Sequence, residues 1–399
     1  MLSISAKPYI DASVPVLRQH GLAITTLFYK NMFESHPELM NLFNMGNQAN
    51  GSQQQSLAAA VFAYAANIDN TEALKPVIER IVHKHVSVGI KPEHYPIVGK
   101  YLIGAIKAVL GDAATPELLA AWEEAYGLLA DALIATEAEL YAQNKQQPDE
   151  WMKLKVLEKT HQSENVVSFT LHAEDQTQLP EFKPGQYISV AVHLDDLNLR
   201  QIRQYSLSNS PQQNTYRITV KRESGDEYKP RGNVSNWLHQ HARLGSTIHV
   251  SYPSGNFTPD IQDQRPIALV SAGVGITPMI SIVNDIAIKR ADRKVLFVHA
   301  ARNRASIAHI EEIQHAKSKL ENLETIFFLN ESKKQNPDEV EGRMDLSIHI
   351  TPEYKDGLFY ICGPQAFMDI QRDALLELGV NPVNIHREVF GPESLNHLI

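Results

Sequence analysis

Residues 76–89 read Pro-Val-Ile-Glu-Arg-Ile-Val-His-Lys-His-Val-Ser-Val-Gly. Apolar side chains recur here at three- and four-residue spacing, the period of a helix with one face turned inward. Ile78, Ile81, Val82 and His85 share that face with Gly89, and His83 falls to its side. A histidine in such a stripe has two readings. It is a satisfied core residue, or a ligand that gives one nitrogen to a metal while a partner orients the other. The stripe alone does not choose.

The surrounding sequence supplies candidates for that partner. From Pro116 the stripe Leu119, Trp122, Tyr126, Leu129, Leu133 leads to Glu137. A carboxylate there points inward and needs a partner, because a buried unpaired charge is costly; otherwise the stripe ends and Glu137 is solvated. Tyr95, just beyond the histidine helix, is placed to bridge the two. Upstream, Tyr29 ends the run Leu-Ala-Ile-Thr-Thr-Leu-Phe-Tyr, Phe43 follows Pro37-Glu-Leu-Met, and Gln53 and Leu57 are one helical turn apart. Each of these also has a plain packing reading. Helices are expected over 11–31, 52–66, 74–89 and 116–142, with Pro37, Pro76, Pro92 and Pro116 near helix starts. Residues 1–143 therefore read as an all-α domain.

After a polar linker at 143–150 the texture changes. Short alternating runs, VVSFTLH, QYISVAV and YRITVKR, are separated by Pro-Gly and Ser-Gly turns and predict an antiparallel β-barrel over 151–261. From 265 to 399 the strands PIALVSAG, KVLFVHAA, ETIFFLN and GLFYICG alternate with helical stretches, the pattern of an α/β doubly wound parallel sheet. At 399 residues the chain is long enough for these three domains.

Both β-containing domains carry anion and dinucleotide signals. Arg203-Gln204-Tyr205-Ser206 combines a guanidinium fork for a pyrophosphate, an aromatic face for an isoalloxazine and a hydroxyl donor for flavin. Tyr187 is a second aromatic, after Pro184-Gly-Gln, and Gly232-Asn-Val234-Ser235 opens a helix where an anion is favoured. Otherwise Arg203–Ser206 is an ordinary barrel strand. Gly273-Val274-Gly275-Ile276-Thr277-Pro278 follows a strand and opens a helix, and Cys362-Gly363-Pro364 follows the last apolar strand. The glycines let a backbone approach a pyrophosphate, although the third glycine of the full dinucleotide fingerprint is missing. Cys362 reads as a redox thiol or as a small packing residue beside a nicotinamide.

On these residues the chain resembles the flavohaemoglobins. Tyr29, Phe43, Gln53, Leu57, Lys84, His85, Tyr95 and Glu137 match their globin domain. The order Arg-x-Tyr-Ser, Gly-Val-Gly-x-Thr-Pro, Cys-Gly-Pro matches ferredoxin–NADP⁺ reductase-type modules, and His386-Arg-Glu-Val-Phe-Gly391 matches the flavohaemoglobin ending. The resemblance implies haem b held by His85, with Phe43 against it, Tyr95 and Glu137 behind the ligand, and Tyr29, Gln53 and Leu57 on the oxygen side. It implies FAD bound through Tyr187, Arg203, Gln204, Tyr205, Ser206, Gly232, Val234, Ser235, Val389, Phe390, Gly391 and Pro392. NAD(P)H is implied at 273–278 and 362–364, with Lys84 and Glu388 on the electron path. The implied activity is nitric oxide dioxygenation: electrons pass from NAD(P)H through FAD to haem, and O₂ on ferrous haem oxidises nitric oxide to nitrate.

Rival readings are an NAD(P)H-dependent flavin or haem reductase, a hydroperoxide reductase, and a sensing globin kept ferrous by its reductase. An apolar pocket above the haem would also admit lipid. A formal charge of −9 argues against nonspecific nucleic-acid binding, and one cysteine, Cys362, excludes intrachain disulfides. We expect a cytoplasmic monomer with no stable membrane insertion, since the start lacks a signal peptide and no uncharged run reaches spanning length. Two departures from the family stand out: a charged loop at 225–231, and Arg387 where an aromatic is expected.

Overall fold

The computed structural model describes residues 2–225, 230–290, 292–332 and 336–392. Its two compact units are Met1–Trp151 with Ala191–Arg203 and Gly391–Ile399, and Met152–Val190 with Gln204–Phe390. The charged loop singled out above falls largely on residues 226–229, outside the described residues.

The first unit is helical: α1 (Lys7–Ser35), α2 (Met45–Ala49), α3 (Ser52–Ala66), α4 (Thr71–Val88), α5 (His94–Leu110) and α6 (Pro116–Gln143). Pro116 is the first residue of α6, and the Thr115 hydroxyl caps it by accepting from Leu118 N–H at 3.3 Å. Pro76 departs from expectation. It lies inside α4, which starts at Thr71, and so removes one helical hydrogen bond. Burial of Leu74 and Val77, 4% and 7% exposed, outweighs that local cost. No separate helix was expected over α5, where the apolar residues lie on both sides of Gly99.

The second unit carries most of an antiparallel sheet and all of a parallel one. The strands are β1 (Met152–Ser163), β2 (Val166–Ala173), β3 (Tyr187–Leu194), β4 (Leu199–Ser206), β5 (Tyr216–Lys221) and β6 (Thr247–Val250), with α7 (Asn233–His241) between the last two. Their order is β4-β3-β6-β1-β2-β5. Then come β7 (Ile267–Ala272), α8 (Ile276–Lys289), β8 (Val295–Ala301), α9 (Ile310–Lys319), β9 (Leu323–Leu329), β10 (Glu339–Glu341), β11 (Leu358–Cys362), α10 (Gln365–Glu377) and β12 (Ile385–Glu388). These strands run in the order β10-β9-β8-β7-β11-β12, with parallel pairing throughout. The central strands are buried on both faces, which is why they read as unbroken apolar runs.

The structure adds β1, β6, β10 and β12 to the expected strands. Edge strands β10 and β12 are half-buried and polar, so no alternation marks them. Charges and polar groups dominate β1, which buries only Leu154 and Val156. Among the described residues no helix is long and apolar enough to cross a membrane.

Candidate functional site

In the helical unit the fold brings three elements to His85. Its ring, on α4, presents Nδ1 to Glu137 Oε1 on α6 at 2.7 Å and to Tyr95 Oη on α5 at 3.1 Å. Tyr95 donates to the same carboxylate oxygen at 2.5 Å, and Glu137 is 3% exposed. A carboxylate only accepts, so Nδ1 carries a proton and Nε2 is left as a lone-pair donor. Burial, then the Glu137 charge, pushes the Tyr95 phenol far above its ordinary range, which keeps it protonated and donating. Tyr126 on α6 fixes the start of α5 by donating to the Tyr95 carbonyl at 2.6 Å.

Tyr29 on α1 is 4% exposed and lies edge-on to Phe43, ring centroids 5.7 Å apart. Gln53 Nε2 donates to its oxygen at 3.4 Å. Burial pushes the phenol up to about 12 against the pull of the neighbouring Gln53 and Gln48 amides. Leu57 and Phe43 are half-buried and pack against the core that contains Tyr29. The stretch carrying Phe43 is pinned within this unit. Gln201 donates to the Met40 and Phe43 carbonyls at 3.2 and 3.4 Å and accepts from Met45 N–H at 3.2 Å. Lys84, exposed on α4, donates to the Gly391 carbonyl at 3.1 Å.

This donor set fits a haem: one imidazole with Nδ1 committed and Nε2 available, apolar walls, and a buried tyrosine–glutamine pair.

Expected flavin residues lie at the end of β4 and at the start of α7. Ser206 is 4% exposed and its Oγ is buried with no hydrogen-bond partner among the described residues. An orphaned hydroxyl beside Tyr205 fits a flavin polar edge, since buried polar atoms otherwise find partners. Gln204 donates to Ser189 Oγ at 3.3 Å, and the Arg203 guanidinium donates to the Ile202 carbonyl at 2.7 Å. Gly232 is the N-cap of α7, with Val234 and Ser235 buried in its first turn and Ser235 Oγ donating to the Gly232 carbonyl at 3.2 Å. Tyr187 is buried at the start of β3; Phe390 is 46% exposed; Val389, Gly391 and Pro392 are partly buried.

At the carboxyl ends of β7 and β11 the glycines do a job the sequence did not suggest. A β-carbon on Gly275 would lie 2.3 Å from the Cys362 carbonyl oxygen and 2.9 Å from Gly363 N. The close approach it permits is between the protein's own two loops. Gly273, by contrast, has φ +54° and open space around it. Ile276 and Thr277 are 0% and 2% exposed, Pro278 is buried and has no N–H, and the Ile276 N–H donates to the Gly273 and Val274 carbonyls, so the start of α8 is tied into the protein's own turn. Cys362 is fully buried and burial pushes its thiol up, which favours the packing reading over a reactive thiolate. Glu388 pairs with Cys362 in register, and Arg387 reaches Asp369 on α10 at 3.2 Å, so its charge is met within this unit.

Behind these loops His299 is buried, its Nδ1 2.9 Å from Ser271 Oγ. Burial pushes its pKa from the ordinary 6.5 to about 3. Between those values the unfolded chain binds a proton that the folded chain does not, so stability falls as pH drops through that window. Denaturant midpoints at about pH 7 and 4.5 should therefore diverge more in the wild type than in a His299→Asn variant. Equal divergence would remove His299 from the account.

A polar chain ties barrel strands to α9. His309 Nδ1 meets Glu312 Oε1 at 2.6 Å and Nε2 meets Thr219 Oγ1 at 2.9 Å, which in turn meets Ser208 Oγ at 2.9 Å. Burial alone would raise the Glu312 carboxyl; His309 and Arg217 hold it down at about 2. No sequence signal marked this cluster.

Family models match in the same order as the three textures: globin over residues 26–133, oxidoreductase FAD-binding domain over 153–258, and oxidoreductase NAD-binding domain over 269–373. The flavohemoprotein of Rhizobium meliloti (strain 1021) is 46% identical, covering 98% of this chain and 99% of the relative. The chain belongs to the flavohemoprotein family. The flavohemoprotein of Bacillus subtilis (strain 168) is 44% identical, with 98% of each chain covered. The crystal structure of flavohemoglobin from Malassezia yamatoensis, with bound FAD and heme, superposes with a TM-score of 0.85 at 30% identity, covering 98% of this chain and 100% of that one. The FAD/NAD-binding domain of nitric oxide dioxygenase from Vibrio cholerae matches with a TM-score of 0.56 at 34% identity, over 60% of this chain and 99% of that one.

As a flavohemoprotein the chain is an oxidoreductase whose cofactors are haem, FAD and a nicotinamide dinucleotide. The expected order of an all-α globin, an antiparallel FAD domain and a parallel NAD-binding domain holds.

Proposed function

We propose that this flavohemoprotein is a nitric oxide dioxygenase, with its globin domain at 1–143, its FAD domain at 151–261 and its NAD(P)H domain at 265–399. The observation that carries this reading is the Glu137 carboxylate within 2.7 Å of His85 Nδ1 and 2.5 Å of Tyr95 Oη. A module that only stored or carried haem would not need it. When bound, NAD(P)H supplies a hydride, FAD divides it into single electrons, and haem with O₂ oxidises nitric oxide to nitrate.

His85 would hold the haem iron through Nε2. Glu137 holds the Nδ1 proton and pulls it away from the ring, which makes the imidazole a stronger electron donor. Tyr95 spreads part of the Glu137 charge. On the other side Tyr29 keeps its proton at any working pH, so it donates to the negative charge that the oxygen ligand acquires, with Gln53 beside it. Leu57 and Phe43 would narrow access to the iron. In the second unit Ser206 Oγ would donate to the flavin, the rings of Tyr187, Tyr205 and Phe390 would border it, and the α7 start at Gly232–Ser235 would take its pyrophosphate. The family resemblance adds Arg203, Gln204 and residues 389–392 to the FAD-binding set. Residues 273–278 and 362–364 would receive the nicotinamide nucleotide. The family resemblance would put Lys84 and Glu388 on the electron path. An enzyme fed by NAD(P)H works where that nucleotide is kept reduced, which supports a cytoplasmic location.

The test is anaerobic stopped-flow of the loaded protein with NADH, then mixing with O₂ and nitric oxide. Haem reduction at the rate of flavin reoxidation, with nitrate as product, is expected. Flavin reduction with haem left ferric would overturn the proposal in favour of a plain flavin reductase.

A further inference from the structure

One further amide lies against Tyr29, that of Gln48 on α2, and it is held in turn by Gln54 on α3. Gln54 Nε2 donates to the Gln48 main-chain carbonyl at 3.2 Å and to Gln48 Oε1 at 3.0 Å. A main-chain carbonyl only accepts, so the first contact fixes which way round the Gln54 amide lies. Gln48 must then answer with its oxygen, which turns its own amide nitrogen the other way. That nitrogen is buried and has no acceptor among the described residues. The Gln48 side chain also lies against the Tyr29 phenol, whose oxygen already accepts from Gln53 at 3.4 Å. The Gln54 oxygen is also buried and unpartnered, but its amide nitrogen is the atom turned to Gln48, so around Tyr29 three N–H or O–H groups share one protein acceptor, the phenol oxygen. Buried donors are almost always satisfied, so an arrangement with surplus donors needs an acceptor from outside the protein.

We infer that Gln48 is a third donor to the oxygen ligand of the haem, alongside Tyr29 and Gln53, and that Gln54 is the positioning residue that aims it. The inference rests on the haem reading of this pocket. An anionic or partly negative diatomic is the ligand class such a donor cluster favours, and a neutral one such as carbon monoxide gains less from it.

The test uses the full-length, haem-loaded protein and two readouts other than turnover: the O₂ dissociation rate and the C–O stretching frequency of the carbon monoxide adduct. Gln48→Met and Gln48→Glu both keep the side-chain length and remove the donor, so one can stand in if the other does not load with haem. Each should release O₂ about fivefold faster, one neutral hydrogen bond's worth, and shift the C–O stretch. Gln54→Leu should move both readouts the same way by a smaller factor, because Gln48 is then free to turn. Tyr29→Phe is the reference and should have the larger effect. If Tyr29→Phe changes both readouts and the Gln48 variants change neither, the Gln48 assignment is overturned while the haem reading stands. If Tyr29→Phe changes nothing either, the haem reading itself fails. If Gln54→Leu alone is silent, the aiming role is overturned.

Discussion

A Glu137→Leu variant should melt its helical unit roughly 10 °C lower than the wild type. The carboxylate accepts two charge-assisted hydrogen bonds, from His85 Nδ1 at 2.7 Å and Tyr95 Oη at 2.5 Å, at a position 3% exposed. Each such bond is worth about 1.5–3 kcal/mol, and leucine leaves the Tyr95 hydroxyl without an acceptor and His85 Nδ1 with only the Tyr95 oxygen at 3.1 Å. A loss of about 3–5 kcal/mol in a unit of this size corresponds to a fall of that order. Glu137→Gln keeps one carbonyl acceptor, so it should fall by less than half as much. In the loaded protein both variants should raise the haem midpoint potential, since the His85 ring loses the carboxylate that draws its Nδ1 proton and makes it a stronger electron donor, and activity should drop about 10- to 100-fold. Calorimetry and a spectroelectrochemical titration check the two effects separately. A Glu137→Leu protein with wild-type melting and potential would sink the proximal arrangement described here.

Gly275→Ala should be the most damaging methyl group that can be added to the nucleotide-binding loops. The new carbon would lie 2.3 Å from the Cys362 carbonyl oxygen, 2.6 Å from its carbon and 2.9 Å from Gly363 N, all main-chain atoms with no rotamer to escape into. Overpacking of this kind costs about 1–3 kcal/mol where side chains can yield, and more where only backbone can. The loop at 273–275 should be forced away from 362–363, and flavin reduction by NADH should slow at least tenfold with a raised KM. Gly273→Ala supplies the contrast. It meets no atom, and only its φ of +54° resists, at about 1 kcal/mol. Stopped-flow flavin reduction of both variants decides it. Equal effects would mean that backbone conformation, not the contact with Cys362, explains the glycine at 275.

Most of this architecture was readable in advance because its strongest signals are periodic. The inward stripe of α4 put His85 on the core face, and the stripe of α6 carried Glu137 to the same level. Strands β7, β8, β9 and β11 are apolar runs because helices cover both their faces. What escaped was local structure decided by tertiary burial: Pro76 inside α4, polar β12 at a sheet edge, and the true neighbour of Gly275. Amide orientation at Gln48 was also out of reach, because it depends on a main-chain carbonyl that only the folded turn supplies. Likewise His309 and Glu312 are three residues apart in an ordinary charged helix start, and nothing in that spacing announces Thr219 as their partner.

That last cluster bears on timing as well as on shape. Because Glu312 is a carboxylate, His309 Nδ1 holds the proton and Nε2 must accept from Thr219, so the chain to Ser208 has one sense only. Ser208 lies two residues past Ser206, which ends β4, while His309 precedes α9 in the NAD-binding domain. Reacting atoms must come within about 3–3.5 Å for a hydride to cross. With the cofactors placed as proposed, this run of hydrogen bonds from β5 to the start of α9 would help fix the spacing of the two modules before either reactant arrives.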